Sequence, residues 1–346
     1  MEKVLSEREE SVLSAIVQDY VTAAEPAGSR LISKSSGLML SPATIRNVVA
    51  DLEEKGMVSQ PHPSAGRIPT DVGYRYYVDH LIRLFELSNQ EKGLLEEKLD
   101  HIVGSFEEVA AMASKVLSSM SRELGVILTP RLGQGIFRRL NILEISGKRI
   151  MLVLTIESGL INSIMVEAES VHPPEELQAA ANFINERLGG RKIAEIELKL
   201  KEMIYSEDEK TLGIVRLFLN NARDLFTFPE ARSLFADGAS QLLIQPEFSD
   251  KQRIEAIIEL IENKKMLIHL LDSRECRDGI WVTIGGENEA GEFKSYSLVT
   301  SSYRVNEDKG TLGVLGPTRM AYPKLISVVD YTAKILTRKF SGKEGL

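Results

Sequence analysis

Between Ser41 and Gly56 the chain reads SPATIRNVVADLEEKG, and winding this stretch at about 3.6 residues per turn separates two faces. Ile45, Val48, Val49 and Leu52 fall at i, i+3, i+4, i+7 and form an apolar stripe suited to burial. Ala43, Arg46, Asn47 and Ala50 repeat that spacing on another side. A solvated helix face more often carries Glu and Lys. Arginine can donate two parallel hydrogen bonds to the acceptors of a guanine edge, and asparagine can pair with both positions on adenine. Alanines keep the helix slim enough to reach base edges and can touch a thymine methyl. Thr44, in the first turn, can bond a phosphate beside the free N–H groups of the helix start. Taken singly, Arg46 and Asn47 read better as an ordinary solvated face.

The elements around this helix decide between the two readings. Ser41 is an N-cap, Pro42 stands at the first helical position and Gly56 supplies a left-handed stop. Upstream, Leu5 to about Tyr20 is a helix with a Ser6/Glu9 capping box, and a short helix runs from Ser29 to Ser35, stopped by Gly37. Downstream, MVSQPHPSAGRIPT reads as two extended pieces around a Pro/Ser/Gly turn, a β-hairpin. Three helices and a hairpin in this order predict a winged helix-turn-helix whose third helix reads DNA from its N-terminal half.

Charge placement agrees. The chain carries a formal net charge of -8, which argues against indiscriminate nucleic-acid coating. Yet no acid lies between Pro26 and Ala50, or between Lys55 and Thr70. The candidate DNA-binding set is Ser29, Arg30 and Lys34 on the second helix, Ser41, Ala43, Thr44, Arg46 and Asn47 on the third, and His62, Ser64, Gly66 and Arg67 in the wing. HPSAGR puts Arg67 and its small neighbours at the hairpin tip, which would suit the minor groove or flanking phosphates.

The remainder excludes several classes. One cysteine, Cys276, permits no internal disulfide framework and no cysteine-based zinc site, and the five histidines form no i, i+4 pair. No cofactor fingerprint or nucleophile–base pair supports an enzyme joined to a DNA-binding unit. GGENEAG lacks the GK[ST] of a phosphate loop. No apolar run is long enough to span a bilayer and the N-terminus has no apolar leader, so no membrane contact and a cytoplasmic location are expected. The GPTRM turn before the last helix could hold an anion, though such turns are more often structural. Tyr74, Tyr76 and Tyr77 could reach DNA, but packing at a domain junction suits them better.

Length favours more than one domain. Strand patterns fall in two blocks around a helical, polar stretch, so the fold class expected is α+β, one domain interrupted by an inserted, mainly helical one. The boundaries read as 1–72 for the DNA-binding unit, 73–89 for a linker helix, 90–170 and 250–346 for the interrupted domain, and 171–249 for the insert.

EPAGSR, SPATIRNVVADLEEKG, HPSAGRIPTDVGYRYYVD, VTIGGEN, SLVTSSYRV and GVLGPTRMAY, in this order, resemble the heat-inducible transcription repressor HrcA family. The likeness spans most of the chain and is weakest between Ser170 and Pro246, where NNARDLFTFPEA looks like a divergent copy of a family segment. It implies a repressor of chaperone operons binding an inverted-repeat CIRCE operator in double-stranded DNA as a homodimer. It further implies a GAF-like domain, a dimerising insert within it, and the GroE chaperonin as a partner that maintains activity. No cofactor is implied. An alternative is a repressor whose GAF-like domain senses a small molecule. With no evident ligand or redox switch, heat is expected to act by unfolding a marginally stable chain.

Overall fold

The structure, a computed structural model, describes residues 5–35, 40–83, 85–100, 102, 106–130, 135–156, 161–168, 170–193, 195–196, 214, 217–218, 221, 232–272, 278–288, 293–305 and 308–340. The Gly37 stop, NNARDLFTFPEA apart from Asn221, and Cys276 lie outside the described residues.

The N-terminal unit follows its predicted order. Helix α1 (Glu7–Ala23) opens on the expected capping box: Ser6 Oγ accepts from the Glu9 N–H, while the Glu9 carboxylate accepts from the Ser6 N–H at 2.7 Å. Helix α2 spans Ser29–Ser35 and α3 spans Pro42–Glu54, with Gly56 at φ +72° just beyond it. Strands β1 (Val58–Ser59) and β2 (Ile68–Pro69) form a short antiparallel hairpin. Val12, Leu13, Ile16, Ile32, Ile45, Leu52 and Val58 close a shared core beneath them. Helix α4 (Asp71–Tyr76) runs on into a wider turn, Tyr77–Leu81. The sequence pattern from about Gln90 to Glu123 reads as one long helix, and the structure divides it into α5 (Asn89–Asp100) and α6 (Phe106–Ser121).

Two separate sheets follow. Five antiparallel strands stand in the order β7–β3–β10–β9–β8, comprising Leu234–Asp237, Leu124–Leu128, Asp308–Pro317, Tyr296–Val305 and Ile280–Ile284. Alternation along each strand gives this sheet two apolar faces. One packs on α6 and on α11 (Tyr322–Phe340), through Ile127, Val299, Leu312 and Val314. The other, with Val126, Leu298 and Leu315, packs on α8 (Ala239–Leu243), α9 (Lys251–Glu262) and α10 (Lys264–Asp272). Gly125 is required where α6 crosses β3, because a Cβ there would fall 2.2 Å from the Ser114 carbonyl oxygen.

The second sheet is a three-stranded meander, β4 (Phe137–Ser146), β5 (Arg149–Ile156) and β6 (Ile161–Glu167), with α7 (Pro174–Leu188) on one face. The fold is thus α+β as expected, but the strands divide differently. The sequence reading grouped β3 with β4–β6 in 90–170 and placed a mainly helical insert at 171–249. Among the described residues β3 pairs instead with β7 and β10, and β4–β6 pair with one another. Alternation marks a strand and its buried side but not its partner, and the β3–β7 pairing is non-local.

Candidate nucleic-acid interface

The stripe of Ile45, Val48, Val49 and Leu52 is buried, which turns Ala43, Arg46, Asn47 and Ala50 outward, all exposed. Ser41 Oγ accepts from the Thr44 N–H at 3.1 Å and lies 2.9 Å from Thr44 Oγ1, so both hydroxyls sit at the tip of α3. Arg46 Nε donates across to Ser29 Oγ at 3.4 Å, joining the start of α2 to the same surface. No carboxylate pairs with Arg46 among the described residues. The α2 backbone carries Arg30 and Lys34, whose side chains lie outside the described residues.

Of the acids at the far end of α3, Glu53 takes the Arg67 guanidinium while Asp51 and Glu54 are exposed. Glu9 on α1 is nearly buried and takes Lys55 Nζ at 2.6 Å. Burial pushes its carboxyl up, but the bonds from Lys55 and Ser6 outweigh that and hold it below the ordinary carboxylate range.

Two wing residues stand elsewhere than expected. Arg67 is at the base of the hairpin, not its tip: its backbone bridges Ala27 in both directions, and Nε and Nη2 donate to Glu53 Oε2 at 3.0 and 2.8 Å. Spacing could not reveal this, since Glu53 belongs to a different element. Gly66 serves the same seat; a Cβ there would fall 2.4 Å from the Ala27 carbonyl oxygen. His62 and Ser64 are exposed in the turn, as anticipated. Sequence reasoning missed Gln60, whose amide donates to the Pro63 and Ala65 carbonyls at 2.9 and 3.0 Å and shapes that turn. An amide heading a Pro/Ser/Gly turn was the available signal.

Residues 107–326 match the family described as the HrcA protein C terminal domain. A curated relative from Geobacter sulfurreducens, the Heat-inducible transcription repressor HrcA, is 36% identical over 344 residues, covering 98% of this chain and 99% of the relative. A relative of the same name from Desulfitobacterium hafniense is 36% identical over 340 residues, covering 96% and 97%. The chain belongs to the HrcA family. Its HrcA relatives are named as heat-inducible transcription repressors, which is not an enzyme class. A crystal structure of a hypothetical protein shares the fold across 98% of this chain and 99% of its own, with a TM-score of 0.69 at 21% identity.

Within this HrcA fold the remaining motifs take structural places. Tyr74 and Tyr77 are buried, and the Tyr74 ring lies 5.8 Å from that of Tyr322. Tyr76 Oη donates to Glu10 at 2.7 Å. The packing reading of this cluster fits and the DNA reading does not. At the GPTRM turn the Arg319 guanidinium is paired with Glu247, and the Tyr322 and Lys324 N–H groups at the helix start donate to the Met320 and Ala321 carbonyls, so the turn's donors are already used. Among the described residues no His/Cys/Asp/Glu group could hold a metal, and no helix is long and apolar enough to cross a membrane.

Proposed function

We propose that this HrcA member represses transcription by binding duplex DNA through a winged helix-turn-helix formed by α1–α3 and the β1–β2 hairpin. The observation that carries the reading is the outward face of α3: Arg46 and Asn47 between alanines, exposed, with no carboxylate ion pair to Arg46 among the described residues. Polar side chains with specific hydrogen-bonding geometry, held on a rigid helix and not tied up by a carboxylate, are what direct readout of base edges requires. Ser41, Thr44 and Ser29 at the helix tips, with Arg30 and Lys34, would meet phosphates. His62 and Ser64 would follow the groove flank, while Gly66 and Arg67 hold the wing in place.

The five-stranded sheet with its helices is the GAF-like unit, and the segment carrying β4–β6 and α7 is the dimerising insert. Opposite α7 the meander presents Leu143, Ile145, Ile161 and Met165 to solvent, with Leu143, Met151 and Met165 aligned across the three strands. An apolar sheet face of this kind is expected to be covered. A second copy supplies the two-fold axis that an inverted repeat demands, with half-sites about 34–36 Å apart. The resemblance further assigns the CIRCE element upstream of chaperone operons as the operator, and the GroE chaperonin as the partner that keeps the repressor active.

The test is Arg46→Ala titrated against the chain's own upstream region. Affinity should fall by about 1–3 kcal/mol and preference at one base pair per half-site should relax, with little change on unrelated duplex. Unchanged affinity for the footprinted site would remove α3 as the reading element.

A further inference from the structure

Three motifs that DNA reading leaves unused, DVGYRYYVD, VTIGGEN and GPTRMAY, meet at one place. Asp71 and Arg75 project from α4 onto the end of β8. The Gly286 N–H donates to Asp71 Oδ2 at 2.8 Å. Gly285 makes that approach possible: it sits at φ +50°, and a Cβ there would fall 2.2 Å from Asp71 Oδ2. Glu287 folds back to accept the Ile284 N–H at 2.9 Å, and its two oxygens receive Arg75 Nε and Nη2 at 2.7 and 2.5 Å. Arg75 Nη2 also donates to the Val282 carbonyl at 2.6 Å, and Nη1 to Asp79 at 3.0 Å. A second clasp closes from the other side. Arg319, held by Glu247, donates Nη1 to the Val21 carbonyl in the last turn of α1 at 2.8 Å.

These clasps act on the recognition helix through little intervening chain. Thr70 Oγ1 caps α4 and donates to the Gly56 carbonyl at 2.7 Å, directly behind α3. At Gly73 a Cβ would fall 2.0 Å from the Met57 carbonyl oxygen, so α4 lies against the backbone that leaves α3. α3, the hairpin and α4 are therefore tied to one another by direct contacts.

We propose that Asp71, Arg75 and Arg319, with their partners Gly286, Glu287 and Val21, are positioning residues that fix the aim of α3 relative to the five-stranded unit. In a dimer they would set the half-site separation it accepts. The spacing part rests on the DNA-binding reading above. The mechanical part does not. Bidentate, charge-assisted bonds from a planar guanidinium fix an angle as well as a distance, which a lysine cannot reproduce.

The experiment uses the full chain and the conservative variants Arg75→Lys and Glu287→Gln. Amide exchange across residues 280–288 and 71–76 should quicken at least tenfold in both variants, while α6 and β9 keep their protection. Palindromic duplex selected by the wild-type chain from a random pool is then lengthened or shortened by one base pair between half-sites. Wild type should discriminate against the altered spacings at least tenfold more strongly than either variant, with affinity for the selected spacing within about threefold. Unchanged exchange in both variants would overturn the clasp. Quickened exchange with undiminished spacing preference would overturn its role in aiming α3. Failure of the wild-type chain to select any palindrome, with exchange quickened as expected, would instead count against the DNA-binding reading and leave the mechanical part standing.

Discussion

Arg46 and Arg75 belong to one small unit and are treated oppositely. Arg46 is exposed on α3, its one described contact a long bond to Ser29 Oγ. Arg75 on α4 spends Nε, Nη1 and Nη2 on Glu287, Asp79 and the Val282 carbonyl, which raises its pKa still further through the Glu287 bonds. The same side-chain chemistry is held in reserve on one face and consumed by architecture on the other. Side chains that only stabilise a fold find partners within it. A guanidinium on a rigid helix with one hydroxyl contact and no carboxylate paired to it among the described residues keeps donors for a partner from outside. Substitutions should therefore divide cleanly: architecture loses stability, and the α3 face loses binding alone.

The largest effect is expected in the wing seat. Gly66→Ala would push a methyl into the Ala27 carbonyl, and overpacking against backbone costs about 1–3 kcal/mol or more. Denaturant unfolding should show it, with operator binding falling in parallel. A stable variant with normal binding would mean that the wing is not seated on the α1–α2 connection. Next is the buried carboxyl on the body side of the junction. Glu123 accepts from Gln245 Nε2 at 2.8 Å, and burial pushes its pKa from the ordinary 4.5 up to about 8. The folded state therefore holds a proton there that the unfolded state releases above pH 4.5. That contribution is complete below pH 4.5 and is lost as pH rises towards 8. Glu123→Gln should gain stability relative to wild type across that window, as read by urea titrations at its two ends. A pH-independent difference would contradict the buried, protonated carboxyl.

A smaller loss is expected from Lys55→Met, under about 1 kcal/mol because Lys55 is partly exposed. The folded Glu9 pKa lies below 4.5, so the pair's contribution is present at neutral pH and disappears as pH falls through that lowered value. The gap between wild type and Lys55→Met should close in acid. The smallest effect sharpens the comparison most: Arg46→Ala should leave unfolding within about 0.5 kcal/mol of wild type. A substantial destabilisation would move Arg46 into the architecture.

Local signals were legible because they act over a few residues. The Ser6/Glu9 box, the Ser41 cap with Pro42 behind it and the left-handed Gly56 all stand where the sequence indicates, so α1 and α3 were placed correctly and the exposed side of α3 with them. Helix α5 and helix α6 were merged because both share one apolar period across the break. Pairings between distant elements left no such signature. Nothing near Leu124–Leu128 announces that its neighbour is Leu234–Asp237 and not the meander that follows. Arg67 looked like a tip residue because its acceptor, Glu53, is on α3, and the ties from Arg75 and Arg319 cross even longer distances. The candidate site was thus readable wherever it depended on a single helix, and misread where a second element had claimed a side chain.

The chain leaves the five-stranded sheet after β3 and returns beside its own exit. Thr129 and Ser233 are stitched together there, the Thr129 N–H donating to the Ser233 carbonyl at 3.0 Å and the Ser233 N–H to Thr129 Oγ1 at 2.9 Å. Such a closed stem makes everything beyond it a cassette, since the sheet needs only the two adjoining ends and is indifferent to what hangs from them. Evolution can resize or exchange that cassette without re-registering any of the five strands beneath.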